Sequence, residues 1–168
     1  MMNGRTFGVE IEIGNKDLRA MAKILRDASF NVYCDADGSL NNGAVMFYPD
    51  QFYSVKLPEY KLVWRVITDG SVSRGCEVVS PILSGREGLD QVKRIVKAMN
   101  KAGAKATAEC GLHVHVGAGD LSALELQHVA RRYAAFESVI DTFVNPRRRE
   151  DKSKWCHSMY EIVETIDT

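Results

Sequence analysis

The sequence predicts an α+β domain with helices packed on one face of a mostly antiparallel sheet. Apolar and polar residues alternate strictly in TFGVEIEI (residues 6–13) and LHVHV (112–116), the period of a strand with one buried face. Apolar residues recur at helical spacing over residues 86–102 and 122–144. No linker or low-complexity segment interrupts the 168 residues, so residues 1–168 are expected to form a single domain.

The first half of the chain predicts strands around one helix. After the strand at 6–13, Asn15 is expected to cap a helix ending near residue 28, and residues 30–34 form the next strand. Residues 45–68 are aromatic and β-branched with two turn signals, which indicates short antiparallel strands, the last at 61–68.

The second half repeats the alternation of strand and helix. A turn at Asp69-Gly-Ser71 leads to a strand at 75–80, followed by a helix at 86–102 that Gly103 closes. The strand at 112–116 comes next. Ser122 and Glu125 then form a capping box for the helix at 122–144, and an Arg-rich stretch follows that helix.

Composition indicates which kinds of partner and which cellular compartment to expect. The chain has 22 Lys and Arg against 22 Asp and Glu, so no overall field recruits nucleic acid, and no apolar run reaches membrane-spanning length. Its start lacks a charged-then-apolar leader, and its four cysteines form no CxxC pair. These features predict a cytoplasmic protein with reduced thiols and no nucleic-acid or membrane partner.

The strand at 6–13 carries two carboxylates on one face. Glu10 and Glu12, two positions apart, point the same way, roughly 7 Å from each other. A divalent cation such as Mg²⁺ would remove their repulsion, because hard cations prefer carboxylate oxygens. The alternative is an exposed polar face on an edge strand.

Two later strands add one further carboxylate and two imidazoles. Glu77 stands among small and apolar residues in GCEVVSP, where it either faces solvent or joins a site. His113 and His115 share one face of CGLHVHVG, flanked by glycines that allow close approach of a ligand. Neutral imidazole is a common metal ligand, although a lone histidine is more often structural.

These acidic and imidazole positions converge if the helices cover the apolar side of one sheet. The opposite side would then carry three carboxylates and two imidazoles, which make a poor core and a good cation site. The whole functional interpretation depends on this convergence in space.

In chain order, the motifs GVEIEIG, WRVITDGSV, GCEVVSP, CGLHVHVGA and NPRRREDKSKWC resemble those of the amidoligase family of carboxylate–amine ligases. The resemblance spans about residues 6–160 and is most specific at EVVSP followed by CGLHVHV. It implies a catalytic fold like that of glutamine synthetase and glutamate–cysteine ligase. It also implies an ATP-dependent enzyme that joins a small-molecule or peptide carboxylate to an amine through an acyl phosphate.

The resemblance also implies roles for individual residues. Mg²⁺, with Mn²⁺ as a substitute, would be held by Glu10, Glu12, Glu77 and His113. The cofactor ATP would contact His113 and His115, and Ser71 of the D-G-S turn.

The Arg-rich stretch is similar to a phosphate- or carboxylate-binding segment. There, Arg147 would contact the cofactor, and Arg148 and Arg149 would join Glu77 in catalysis, because a guanidinium suits bidentate contact. A solvated basic helix end is the alternative for each of these arginines.

Family members usually continue past this stretch, so the chain is expected to represent the N-terminal and central part of the family domain. A second copy of the chain is then an allowed partner. Two other functions stay open at this point. One is a zinc-dependent hydrolase that uses both histidines and a glutamate around an activated water. The other is a non-catalytic domain that keeps the fold.

Overall fold

The computed structural model of the chain describes residues 4–36, 39–40, 63–146, 149, 157–159 and 163. They fall into two compact units, Met1–Gly117 and Ala118–Thr168. In the first unit, the strands are β1 (Thr6–Ile13), β2 (Val32–Cys34), β3 (Ser39–Leu40), β4 (Trp64–Ile67), β5 (Cys76–Val79), β6 (Leu83–Ser84) and β7 (Leu112–Val116). Its helices are α1 (Leu18–Asp27) and α2 (Gly85–Lys101). Sequence periodicity predicted each longer element within a few residues.

The seven strands form one sheet in which β1 is central. The order is β3-β2-β4-β5-β1-β6, and β7 pairs with β1. The pair β2–β4 is parallel. The sheet is therefore mixed, which corrects the predicted mostly antiparallel sheet, whereas the α+β class is confirmed. The physical reason is the crossover through α1, which returns the chain so that β2 runs in the direction of β4.

Two of the three predicted helices, α1 and α2, cover one face of this sheet. Their buried side chains, among them Met21, Leu25, Ile95 and Met99, form one cluster with the inward residues of the strands. Phe7 and Val9 of β1 belong to that cluster, whereas the intervening positions of β1 face the other side of the sheet. Burial of this apolar face leaves the polar face of β1 for chemistry.

The start of α1 differs from the prediction that Asn15 caps it. Asp17 is the N-cap, and its carboxylate accepts a hydrogen bond from the backbone N–H of Ala20. The Asn15 amide instead donates to the carbonyl of Gly103 and accepts from the N–H of Lys105, at 2.9 and 2.7 Å. Both residues can cap a helix, and the long-range contact to the segment after α2 decides between them.

The second unit contains α3 (Ala123–Ile140), followed by a short 3-10 helix (Asp141–Phe143). Ser122 and Glu125 form the predicted capping box. Glu137 accepts hydrogen bonds from Ser158 and Met159, which attach the later part of this unit to α3.

The described residues test some of the remaining predictions and leave others untested. Among the described residues, no helix is long and apolar enough to cross a bilayer. Within the same residues, Cys34, Cys76 and Cys110 form no disulfide. The strands expected within 45–60, together with Cys156, lie outside the described residues. The single domain, the glutamine-synthetase-like fold and the compartment stay predictions.

Candidate metal centre

Strand pairing brings the predicted acid and imidazole positions onto one face of the sheet. Glu10 of β1 lies opposite His113 of β7, and Glu12 lies opposite Glu77 of β5. Directly paired residues on neighbouring strands project from the same face. Because β1 lies between β5 and β7, its two carboxylates are flanked on both sides, and the four side chains meet.

Two overlapping groups of side chains come close enough to share a cation. Ligand atoms of Glu10, Glu77 and His113 lie within 4.8 Å of one another, and so do those of Glu12, Asp69 and Glu77. Glu77 belongs to both groups. The four residues predicted as metal ligands are thus together, and Asp69 joins them.

Hydrogen bonds hold the carboxylates of β1 in place. His113 Nδ1 lies 2.9 Å from Glu10 Oε2, and His113 Nε2 lies 3.6 Å from Glu12 Oε1. His115 Nε2 lies 3.2 Å from the other oxygen of Glu10. The backbone N–H of Gly111 donates to Glu12 Oε2 at 2.6 Å. Both glutamates are therefore oriented by residues of the β7 region rather than by solvent.

Burial distinguishes the carboxylates from the imidazoles. Glu12 and Glu77 are 2% and 6% exposed. The side chains of His113 and His115 are 51% and 65% exposed. The acidic groups therefore form the base of the site, and the imidazoles stand at its solvent side, where a ligand can reach them.

The pKa values of Glu77 and Glu10 are shifted in opposite directions. Burial, together with the charges of Glu10, Asp69 and Glu12, raises the pKa of Glu77 to about 7, against a smaller lowering by His113. Partial burial also acts to raise the pKa of Glu10. Hydrogen bonds and charge from the two histidines outweigh that burial, and the pKa of Glu10 is lowered. Carboxylates are thus crowded enough that one of them retains a proton near neutral pH.

Asp69 is the member of this centre that sequence reasoning did not assign to a metal. It lies at the start of the loop between β4 and β5, and Ser71 donates to Asp69 Oδ1 from its N–H at 2.6 Å and also from its hydroxyl. The D-G-S turn was the available signal, but the resemblance implied only a cofactor contact for Ser71 of that turn. Ser71, predicted to contact the cofactor, orients Asp69 in this geometry.

The donor set suits a hard divalent cation. It combines four carboxylates with one imidazole, and oxygen-rich sets of this kind favour Mg²⁺ or Mn²⁺ over zinc. Burial, together with repulsion from the neighbouring carboxylates, raises the pKa of Glu77, and a cation at this position would oppose both effects. The residues present therefore fit the predicted metal.

The structure describes only one of the three arginines that were predicted to bind phosphate or carboxylate. Arg149 lies in the second unit, where its guanidinium donates two hydrogen bonds to the carbonyl of Val144, one from Nε at 2.6 Å. Arg147 and Arg148 lie outside the described residues. Their proposed contacts to phosphate or carboxylate stay predictions.

Comparison with known proteins identifies the family. No curated protein and no solved structure matches the chain. The family model described as "Putative amidoligase enzyme" matches residues 3–167, nearly the whole length. That span contains the motifs whose side chains meet at the acidic centre. The chain therefore belongs to the amidoligase family.

Proposed function

We propose that the protein is an ATP- and Mg²⁺-dependent ligase that joins a carboxylate to an amine through an acyl-phosphate intermediate. Family membership supports a ligase-type function. The observation that carries the finer proposal is the pair of overlapping acidic groups centred on Glu77. A site that brings a triphosphate and a carboxylate together must neutralise their charge, and a carboxylate-bound cation does this.

The proposed role of each residue in the centre follows from its position. Glu10, Glu12, Glu77 and Asp69 would hold the cation, with His113 as a nitrogen ligand at the solvent side. His115 keeps Glu10 oriented through its 3.2 Å contact and would meet the nucleotide phosphates. Bound Mg²⁺ and ATP would supply a charge-neutralised phosphoryl donor.

The proposed reaction balances in two transfers. An oxygen of the acid attacks the γ-phosphorus, the bond to the β-phosphate oxygen breaks, and ADP leaves. The amine nitrogen then attacks the acyl carbon, the bond to the phosphate oxygen breaks, and the amine gives up one proton. Phosphate and the amide are the products, and the first transfer requires the acid, whereas the second requires the amine.

Thermal shift and ADP release test the proposal together. A ligand that binds only the folded state raises the melting temperature, so Mg²⁺ with ATP is expected to stabilise the protein. ADP release over many turnovers is expected only when both an acid and an amine are present, because the acid alone allows only the first transfer. Glu12→Gln keeps an acceptor for the Gly111 N–H and removes the charge, so it is expected to abolish both responses.

A matched variant separates this loss from a general effect of removing a glutamate. Glu87 is exposed in the first turn of α2, outside the acidic groups, and Glu87→Gln is expected to behave as wild type. Full activity in Glu12→Gln, or ADP release that needs neither acceptor, contradicts the ligase. Stoichiometric zinc retained through purification favours a zinc hydrolase. A well-folded sample that shows no shift favours a non-catalytic domain.

A further inference from the structure

A cavity of about 510 Å³ lies on the helix-covered face of the sheet. That volume is within the range of small-molecule sites. Trp64 of β4 lines the cavity and belongs to the core cluster beneath the helices. Ile67, three positions further along β4, pairs with Glu77 and projects from the same face as that glutamate. Because side chains alternate along a strand, Trp64 points away from the acidic centre, and a ligand in this cavity would be separate from it.

The indole N–H of Trp64 is buried and has no hydrogen-bond acceptor within the described part of the chain. The residue is 3% exposed, and leaving a buried donor unpaired costs about 1–3 kcal/mol. Its aromatic neighbour is Phe30, with 6.2 Å between the ring centroids, and a phenyl ring carries no oxygen or nitrogen acceptor. Buried tryptophan N–H groups usually find a partner. The cavity is the polar surface beside this ring, so a molecule inside it is the expected source of the acceptor.

Helix α2 supplies the charged side of the cavity. Four of its residues line the cavity at helical spacing, namely Glu87, Asp90, Gln91 and Arg94. The guanidinium of Arg94 lies 5.2 Å from the centroid of the Phe30 ring, which also lines the cavity. Among the residues that the structure describes, this guanidinium forms no ion pair. It is therefore available to an anion from solution.

Asp90 places a negative charge one helical turn from Arg94. Asp90 Oδ1 lies 3.3 Å from Lys93 Nζ, but both side chains are more than half exposed, so this pair is weak. Its other oxygen forms no hydrogen bond to a described residue. Cβ atoms four positions apart on a helix are about 5–6 Å from each other, so one small molecule can meet both charges. Glu87 is two turns from Arg94, about 10 Å along the axis, and is too far for that.

The remaining polar residues of the cavity are uncharged. Ser29 and Asn31, from the connection between α1 and β2, line it together with Gln91 of α2. Hydroxyl and amide groups both donate and accept hydrogen bonds, and they suit a neutral polar group such as a carboxamide.

We propose that this cavity binds a free amino acid with a neutral polar side chain. The carboxylate of the amino acid accepts hydrogen bonds from the indole N–H of Trp64 and from Arg94, and its ammonium group pairs with Asp90. These two charged groups stand on one carbon, which matches the separation of one helical turn. The side chain lies against Asn31 and Gln91. This ligand site does not depend on the proposed ligase function.

Three matched compounds test the two charges of the ligand. Asparagine carries both charged groups, succinamate lacks the ammonium group, and β-alaninamide lacks the carboxylate, whereas all three share the carboxamide end. Calorimetry of the full chain in EDTA keeps metal out of the acidic centre. Asparagine is expected to bind about tenfold more tightly than either relative, the effect of one charge-assisted contact. Equal affinity for the three compounds, or no binding of asparagine, overturns the proposal.

Variants of α2 assign each charge to its partner. Arg94 and Asp90 are exposed, so the fold is expected to persist when they are replaced. Arg94→Gln is expected to remove the preference for asparagine over β-alaninamide, and Asp90→Asn the preference over succinamate. Glu87→Gln is the matched control for the loss of a carboxylate and should bind asparagine as wild type does. Wild-type affinity in both Arg94→Gln and Asp90→Asn overturns the proposal.

The indole N–H reports directly on the bound carboxylate. The chain has two tryptophans, and Trp155 lies outside the described residues, so comparison with Trp155→Phe identifies the NMR signal of Trp64. The proton of this N–H is expected to shift downfield with asparagine, because it gains an acceptor. A signal that stays in place while asparagine binds contradicts the proposed contact. Binding that is lost in Glu12→Gln and kept in Arg94→Gln would place the amino acid at the acidic centre instead, and the proposal would be wrong.

Discussion

Replacing Glu77 with Gln should stabilise the metal-free protein at alkaline pH and leave it little changed at acidic pH. Glu77 is buried, and burial and the neighbouring charges of Glu10, Asp69 and Glu12 raise its pKa from an ordinary value of 4.5 to about 7. Ionised Glu77 therefore opposes folding when no cation is present. Gln keeps the shape of the side chain and removes the charge.

The sign and size of the effect follow from proton linkage. Below pH 4.5, Glu77 is protonated in both the folded and the unfolded state, and it costs no stability. As the pH rises to about 7, the unfolded chain releases this proton first, so the free energy of unfolding falls. Each pH unit in this window is worth about 1.4 kcal/mol, which gives a total loss of about 3 kcal/mol.

Urea unfolding in EDTA at pH 5 and pH 8 measures this loss. The difference in unfolding free energy between Glu77→Gln and wild type cancels groups common to both proteins. This difference should move by about 2–3 kcal/mol in favour of the variant from pH 5 to pH 8, because part of the total loss has already occurred at pH 5. The matched control is Glu87→Gln, at an exposed position on α2 outside the acidic centre. A pH-dependent gain for Glu77→Gln that is no larger than the gain for this control refutes the reasoning.

Three further predictions concern the same face of the sheet and its supports. Mg²⁺ must displace the proton on Glu77, so its affinity by calorimetry should rise up to about tenfold per pH unit between pH 5 and 7, and a flat profile contradicts this. Ser80→Ala removes the buried hydroxyl that accepts from the N–H of Val9, and should lower the free energy of unfolding in urea by about 1–3 kcal/mol. Gly75→Ala would place a Cβ 1.8 Å from the carbonyl oxygen of Ile13, so circular dichroism should show an unfolded or strongly destabilised chain, and a wild-type melting curve contradicts this.

Strand periodicity accounted for most of the candidate site. In β1 and β7, alternate side chains point to opposite faces whatever the rest of the chain does. Glu10 and Glu12 were therefore assigned to one face of β1, and His113 and His115 to one face of β7, from the sequence alone. The spacing of apolar residues likewise identified α2, and the pair Ser122 and Glu125 identified the capping box of α3.

Other features had no local signal of sufficient strength. Asn15 and Asp17 are both good helix caps, and a hydrogen bond to a segment some 90 positions away, Lys105, decided between them. Asp69 belongs to an ordinary turn motif, and nothing near it in the chain indicates that it meets Glu12.

The amino-acid sequence by itself determined which side chains share a face of each strand or helix, because those periods are set by backbone geometry. Only the tertiary structure decided that β1 lies between β5 and β7, that β2 runs parallel to β4, and which residues stand opposite each other. Pairing and register depend on how the apolar faces pack across long separations in the chain. The acidic centre exists because that packing aligned Glu12 with Glu77 and Glu10 with His113.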